Sequence, residues 1–278
     1  MQVYIYARSG HGYGLERVKR STAFYDALAQ FDPIFCTQDF RAGTFAKDVF
    51  GVKKAVSVDL IENMPNIMQR GDFFVFDSDE PSDFMKSHMK DFCAGLIEVG
   101  VDASKIAVHK SFKFAPCANG KKLFFFGDDD YSEELLEKLE VVDSLAFDVL
   151  LGHYYFLGNE DKITAKFDNF YEDTDYVEAI CNSEFLLTGS LQSAIESLAC
   201  GNKPVFFARR DKSENDEIDF ETLNALKIPV IRENSLPKIV AEFENIIKGY
   251  QNDSKIEPLD LSEFIEKIIS RQKLLGLI

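Results

Sequence analysis

No apolar run in this chain of 278 residues approaches the roughly 20 positions that a helix needs to cross a bilayer, which excludes a membrane span. The opening residues QVYIYARSG lack the form of a secretory leader, so a cytoplasmic location is expected. Basic residues are in deficit: 31 Lys and Arg stand against 47 Asp and Glu, a formal net charge of −16. A polyanion such as DNA or RNA needs a basic face to neutralise its phosphates, so nucleic acid is not an expected partner, although a local phosphate pocket is compatible with this balance. The five cysteines are odd in number and scattered without metal-ligand spacing, and they read as reduced and mostly buried. Tryptophan is absent beside 26 phenylalanines, which read as core filling. Internal repeats and low-complexity segments are also missing.

What is present is an alternation of short apolar runs and helical-period patches, long enough for two α/β domains. Residues 2–7 read as a strand that passes through the glycine-rich loop 8–14 into a helix over 15–30, the way doubly wound nucleotide-binding folds begin. The loop fits the dinucleotide fingerprint poorly, and no acidic residue follows a second strand where that fingerprint needs one. Further strands are expected at 33–37, 55–58, 73–77 and 105–109, with helices near 45, over 60–69 and over 82–99. The stretch 111–122, with Pro116, Asn119 and Gly120, reads as a linker. After it come strands at 123–126, 147–151, 163–167 and 229–231, helices at 132–139, 174–182, 220–226 and 237–251, and an amphipathic tail at 261–275. The expected architecture is two Rossmann-like α/β domains with mainly parallel sheets, 1–118 and 119–258, and a C-terminal helix in 259–278 with room to cross back to the first.

The most informative stretch is 184–208, EFLLTGSLQSAIESLACGNKPVFFA. Phe185, Leu186 and Leu187 run into Thr188-Gly189-Ser190. Ala194, Ile195, Leu198 and Ala199 then recur at helical spacing until Gly201 offers a C-cap, and Lys203-Pro204 opens the next apolar run. A strand that enters a helix through such a turn aims backbone N–H groups and the positive end of the helix dipole at one place, which suits a phosphate. Glu196, about one turn inside, would reach a ribose attached to that phosphate. An ordinary βαβ unit with a polar turn satisfies the same spacing.

This segment resembles the donor-nucleotide site of two-domain glycosyltransferases of the GT-B type, with Ser193, Glu196, Gly201 and Pro204 at matching positions. The landmarks in order resemble a narrower family, the UDP-sugar hydrolase of pseudaminic acid biosynthesis. They are Phe74-Val75-Phe76-Asp77-Ser78, Phe126-Gly127-Asp128-Asp129-Asp130, Asp148-Val149-Leu150-Leu151-Gly152 and then 184–208. The resemblance implies two Rossmann-like domains facing each other across a cleft. It also implies a UDP-sugar hydrolysed at its anomeric carbon with release of UDP, in surface-glycan or nonulosonic acid biosynthesis, without metal or cofactor. Transfer of the sugar to an acceptor from the same donor site is the alternative activity. The substrate-binding positions so implied are Gly12, Gly14, Arg20, Asp77, Gly127, Asp128, Gly152, His153, Thr188, Gly189, Ser190, Gln192, Ser193, Glu196 and Arg209.

The first loop departs from that family, whose pattern is Gly-x-Gly-His-x-x-Arg with the His held to activate water. The aligned segment runs from Gly14 to Arg20, with Glu16 in place of the second Gly and Arg17 in place of the His. An arginine stays protonated and cannot act as a general base. His11, in the same loop, and Glu16, at the helix start, are the candidate replacements; a solvated loop histidine and a carboxylate favouring a helix dipole are the plainer readings. Arg17 and Arg20 could hold a phosphate or carboxylate, or form a solvated face. Loss of the aligned His also supports a third function, a protein that binds a nucleotide sugar without turning it over. Asp128, Asp129 and Asp130 could bind a divalent metal, but capping of the following helix explains them more simply. His153 could face the cleft or sit satisfied beside Tyr154 and Tyr155. His88 and His109 show no metal or triad spacing. Arg209-Arg210 could hold the far edge of a ligand or balance Asp211 and Glu214.

Overall fold

Eight of the ten residues in two strands buried along their whole length, β1 (Val3–Ala7) and β4 (Phe73–Asp77), are aromatic or β-branched. Near-continuous apolar runs of this kind mark central strands of a parallel sheet covered on both faces. The computed structural model describes residues 1–154, 158–209 and 216–277, with side chains of 216–219 not described. Around β1 and β4 the first sheet adds β2 (Ile34–Thr37), β3 (Ala55–Ser57) and β5 (Gly95–Glu98), in the order β3-β2-β1-β4-β5 with every pair parallel. Its helices are α1 (Glu16–Ala27), α2 (Phe40–Phe50) and α3 (Asp83–Phe92).

The second sheet has six parallel strands in the order β11-β10-β9-β6-β7-β8. In chain order its elements are β6 (Lys122–Phe125), α4 (Glu134–Leu139), β7 (Leu145–Leu150), α5 (Glu160–Thr164), β8 (Phe167–Tyr171), α6 (Tyr176–Cys181), β9 (Phe185–Thr188), α7 (Leu191–Ala199), β10 (Lys203–Phe207), α8 (Asp216–Ala225), β11 (Val230–Ile231) and α9 (Leu236–Lys248). Phenylalanine fills its core: Phe124 stacks on Phe207 at 5.7 Å between ring centroids, and Phe147 meets Phe243 at 5.3 Å. The expected fold class, two Rossmann-like α/β domains with parallel sheets, is what the chain adopts.

The chain divides into two units, one of residues 1–10, 17–110 and 258–278, the other of 11–16 and 111–257. The last helix, α10 (Ser262–Leu274), belongs to the first unit, where Phe264 meets Phe73 edge-on at 5.5 Å. Residues 11–16, which the sequence assigns with the first domain, cluster with the second. Several local expectations are corrected. The helix expected over 82–99 stops at Phe92, where Cys93 turns extended, and Gly95–Glu98 becomes β5, because register with β4 outweighs the weak helical period there. No strand forms at 105–109, and the sheet ends at β5. The run 163–167 splits between the end of α5 and the start of β8. The helix at 60–69 is a 3-10 turn, Ile61–Asn66, with Pro65 inside it. Among the described residues no helix is long and apolar enough to cross a membrane.

Candidate functional site

The strand order of the second sheet reverses between β6 and β9. In doubly wound sheets such a reversal opens a crevice outside the carboxyl ends of the strands, between loops that leave in opposite directions, and ligands settle there. The loops concerned are 126–130 after β6 and 188–190 after β9, flanked by 151–154 after β7 and by Arg209 after β10. Residues 11–16 pack on the same unit. Gly14, at φ +68°, comes so near that an added Cβ would stand 3.1 Å from Asp129 Cβ, and the His11 ring lies 4.9 Å from that of Tyr154.

Local chemistry explains the start of α7. Ser190 is its N-cap, with Oγ accepting the Ser193 N–H at 3.2 Å, while the Ser190 N–H donates to Thr188 Oγ1 at 3.0 Å. The Gly189 N–H donates to the Phe125 carbonyl at 3.1 Å. The first helical N–H, that of Leu191, donates to Glu16 Oε1 at 2.9 Å. The helix end that the sequence offers to a phosphate is occupied in this structure. The Gly189 donor is used on the Phe125 carbonyl of β6 and the Ser190 donor on Thr188, and the place where an anion is favoured already holds one, a carboxylate oxygen from 175 positions earlier in the chain.

Behind this helix end lies a sealed polar network. The Tyr176 hydroxyl, on α6, shares a hydrogen bond of 2.7 Å with Ser193 Oγ and donates to Glu196 Oε2. Gln192 Nε2 donates to Glu196 Oε1 at 3.0 Å, and Ser190 Oγ lies 2.8 Å from Ser193 Oγ. Glu196 is 0% exposed, so its carboxylate engages the interior. A buried carboxylate needs such donors to offset its lost hydration. Burial, and then the neighbouring Glu196, push the Tyr176 hydroxyl well above the usual tyrosine range.

The three aspartates after β6 each have a separate structural partner. Asp128 Oδ1 accepts the His153 N–H at 3.3 Å, Asp129 Oδ1 accepts from Arg209 Nη1 at 2.6 Å, and Asp130 caps α4 by accepting the Glu134 and Leu135 N–H groups at 2.8 and 3.0 Å. Arg209 also lies with Cζ 4.2 Å from the centre of the Phe126 ring. Glycine is required on both sides of it. A Cβ at Gly127, φ +138°, would stand 2.6 Å from Arg209 Nη1, and one at Gly189 would stand 2.6 Å from Arg209 Cδ. Beyond Gly152, His153 pairs through Nδ1 with Asp173, and Tyr154 contacts both imidazoles, with the His153 ring edge-on at 4.9 Å. Gly12 and His11 are exposed. Tyr155, Arg210, Asp211 and Glu214 lie outside the described residues.

The first unit has its own reversal, between β1 and β4, and the remaining candidates gather there. Arg20 grips Asp77 with two parallel bonds, Nε to Oδ2 at 2.7 Å and Nη2 to Oδ1 at 2.8 Å. Arg17 Nη1 donates to Asp79 Oδ1 at 2.6 Å, and Arg8 Nη1 to the same oxygen. The hydrogen bond from Arg17, and then that from Arg8, hold the Asp79 carboxyl well below the usual carboxylate range. A depressed folded value contributes stability that is present above the unfolded value of about 3.9 and lost as pH falls through the folded one. Asp79→Asn is accordingly expected to lower the urea midpoint modestly near neutral pH, because the group is half exposed and screened, and the gap from wild type should close as the pH is taken below about 4. An unchanging gap across that range would remove Asp79 from this account.

Three of the partners above escape the sequence. Asp173 sits in a turn whose neighbours Glu172 and Asp175 make a capping box, so it reads as a cap. Tyr176 reads as one more apolar helix position. Asp79 has only its place just past Asp77 to mark it.

No protein-family model and no curated protein matches the sequence. Among solved structures the chain is similar to the glycosyltransferase SnogD from Streptomyces nogalater, at 10% identity and a TM-score of 0.49, covering 100% of this chain and 99% of that one. It is also similar to the UDP-GlcNAc 2-epimerase from Neisseria meningitidis bound to UDP-GlcNAc, at 12% identity and 0.47, covering 90% and 92%. A third is the E. coli heptosyltransferase WaaC with ADP-2-deoxy-2-fluoro heptose, at 8% and 0.45, covering 88% and 99%. These likenesses lie in backbone path, and the chemistry of the site has to be read from the chain's own residues.

Proposed function

We propose that this protein processes a nucleotide sugar, with a UDP-sugar hydrolysed at its anomeric carbon as the leading activity. The observation that carries the reading is the carboxylate oxygen of Glu16 on the Leu191 N–H, at the strand reversal of a doubly wound sheet. That N–H and the helix dipole favour an anion, and a ligand diphosphate could take the place by displacing Glu16. The exchange is near balance electrostatically, one charge-assisted bond for another, and Arg209 is the nearby cation that Asp129 would have to share. His11, exposed and resting on Tyr154, is the residue that would take the proton from water, or from an acceptor hydroxyl if the sugar is transferred. Thr188, Ser193 and Gln192 would then act through the shape of the turn and helix.

A second reading, a nucleotide-sugar binder without turnover, is favoured by Arg17. It stands where the resembled family has its base and is held by Asp79. Incubation with a panel of UDP-sugars, following release of UDP, separates the two. Turnover that falls about 100-fold in His11→Ala supports hydrolysis or transfer with His11 as base. Turnover insensitive to His11 but abolished in Glu16→Gln moves the base to Glu16. UDP binding with no release across the panel favours the binder, and absence of UDP binding sinks both.

A further inference from the structure

Far along α7 from its amino end, the chain brings two thiols together. Cys181, the last residue of α6, and Cys200, the C-cap of α7, have their Sγ atoms 3.4 Å apart. The approach is held from several sides. Asn202 Nδ2 donates to the carbonyls of Ile180 and Cys181 at 3.2 and 3.1 Å, and its Oδ1 accepts the Cys117 N–H at 2.9 Å. Its N–H closes the end of α7 on the Ser197 carbonyl at 3.1 Å. One residue therefore ties the ends of both helices, its side chain on α6 and its backbone on α7, so the two sulfurs meet in the folded chain without a search. Cys200 is 1% exposed, whereas Cys181 is half-buried beside the exposed Asn182. Only one of the two is reachable from solvent.

We propose that Cys181 and Cys200 form a reversible oxidation site, in which the Cys181 thiolate exchanges with a low-molecular-weight disulfide and Cys200 resolves the mixed disulfide. The thiolate attacks one sulfur of the small disulfide, whose S–S bond breaks, and the first thiol leaves with a proton from water. Cys200 gives up its proton and attacks the Cys181 sulfur, and the second small thiol leaves. Two protein thiols become one disulfide, and their two electrons reduce one small disulfide to two thiols. The sulfurs need only close from 3.4 Å to about 2.05 Å. The hydrogen bond from Cys200 lowers the Cys181 thiol below its usual value, and the same contact, with burial, raises Cys200, which matches attacker and resolver. Cys117 lies close by but is turned elsewhere, its Sγ donating to the Cys181 carbonyl at 3.1 Å.

The test treats the native full-length chain with glutathione disulfide, quenches with acid, and maps thiols by alkylation and mass spectrometry. Wild type is expected to fall from five free thiols to three, with a peptide linking 181 and 200 that reductant reverses. Cys117→Ser should lose the same pair. Cys200→Ser should trap glutathione on Cys181, and Cys181→Ser should leave Cys200 reduced. A bridge from Cys117, a mixed disulfide that persists on wild-type Cys181, or five thiols still reactive after treatment would each overturn the proposal.

Discussion

Replacing Arg209 by alanine is expected to destabilise the second unit by about 3–5 kcal/mol, the cost of leaving a buried charge without its partner. The Arg209 and Asp129 side chains are 1% and 5% exposed, and their contact at 2.6 Å is the innermost ion pair of the site. The guanidinium also spans the Phe126 ring and lies against the backbone at Gly127 and Gly189. Removing it takes from the Asp129 carboxylate its buried cation, opens a void between two glycines and loosens both loops at the strand reversal. The loss should come mainly from the buried charge that loses its counterion. Arg209→Met combined with Asp129→Leu, which replaces both ions by apolar groups of similar size, is therefore expected to recover most of it. Urea unfolding of the four forms of a double-mutant cycle measures the coupling directly. A single-variant loss under about 1 kcal/mol would mean that water reaches Asp129 readily, and the pair would then count as an exposed one.

Glu16→Gln is expected to bind UDP about tenfold more tightly than wild type, a gain of about 1.4 kcal/mol, by removing the carboxylate that competes for the Leu191 N–H. The amide oxygen of glutamine can still accept that hydrogen bond, so the loop should keep its path. It carries no charge, however, and neither holds the dipole as strongly nor repels a diphosphate. Calorimetric titration of both forms with UDP checks the effect, and raising the salt concentration should narrow the difference, since part of it is repulsion between partly exposed charges. Equal or weaker binding in the variant would show that the diphosphate does not use this helix end. With His11 as the base, turnover of Glu16→Gln should survive with a lower KM. The Glu16 prediction is read as UDP affinity and the Arg209 prediction as unfolding free energy.

Much of the frame was legible in the chain. The runs at β1, β4, β6, β9 and β10 announce themselves as buried strands, and Ser190, Leu191–Ala199 and Gly201 spell an N-cap, a helix and a left-handed C-terminus in order. Each of these depends on residues within a few positions of one another, where periodicity and capping chemistry act. Elements whose identity depended on a distant neighbour were less legible: Gly95–Glu98 became a strand because β4 offered it an edge. The same division runs through the site. The sequence by itself determined that a polar turn would feed a helix at 188–191 and that Arg17 could not serve as a base. Only the tertiary structure decided that Glu16 takes the Leu191 N–H, that Arg209 neutralises Asp129 between two glycines, and that Tyr176 seals Glu196 inside. Propensity and period are properties of a segment, whereas the partner of a buried charge is set by where the rest of the chain returns.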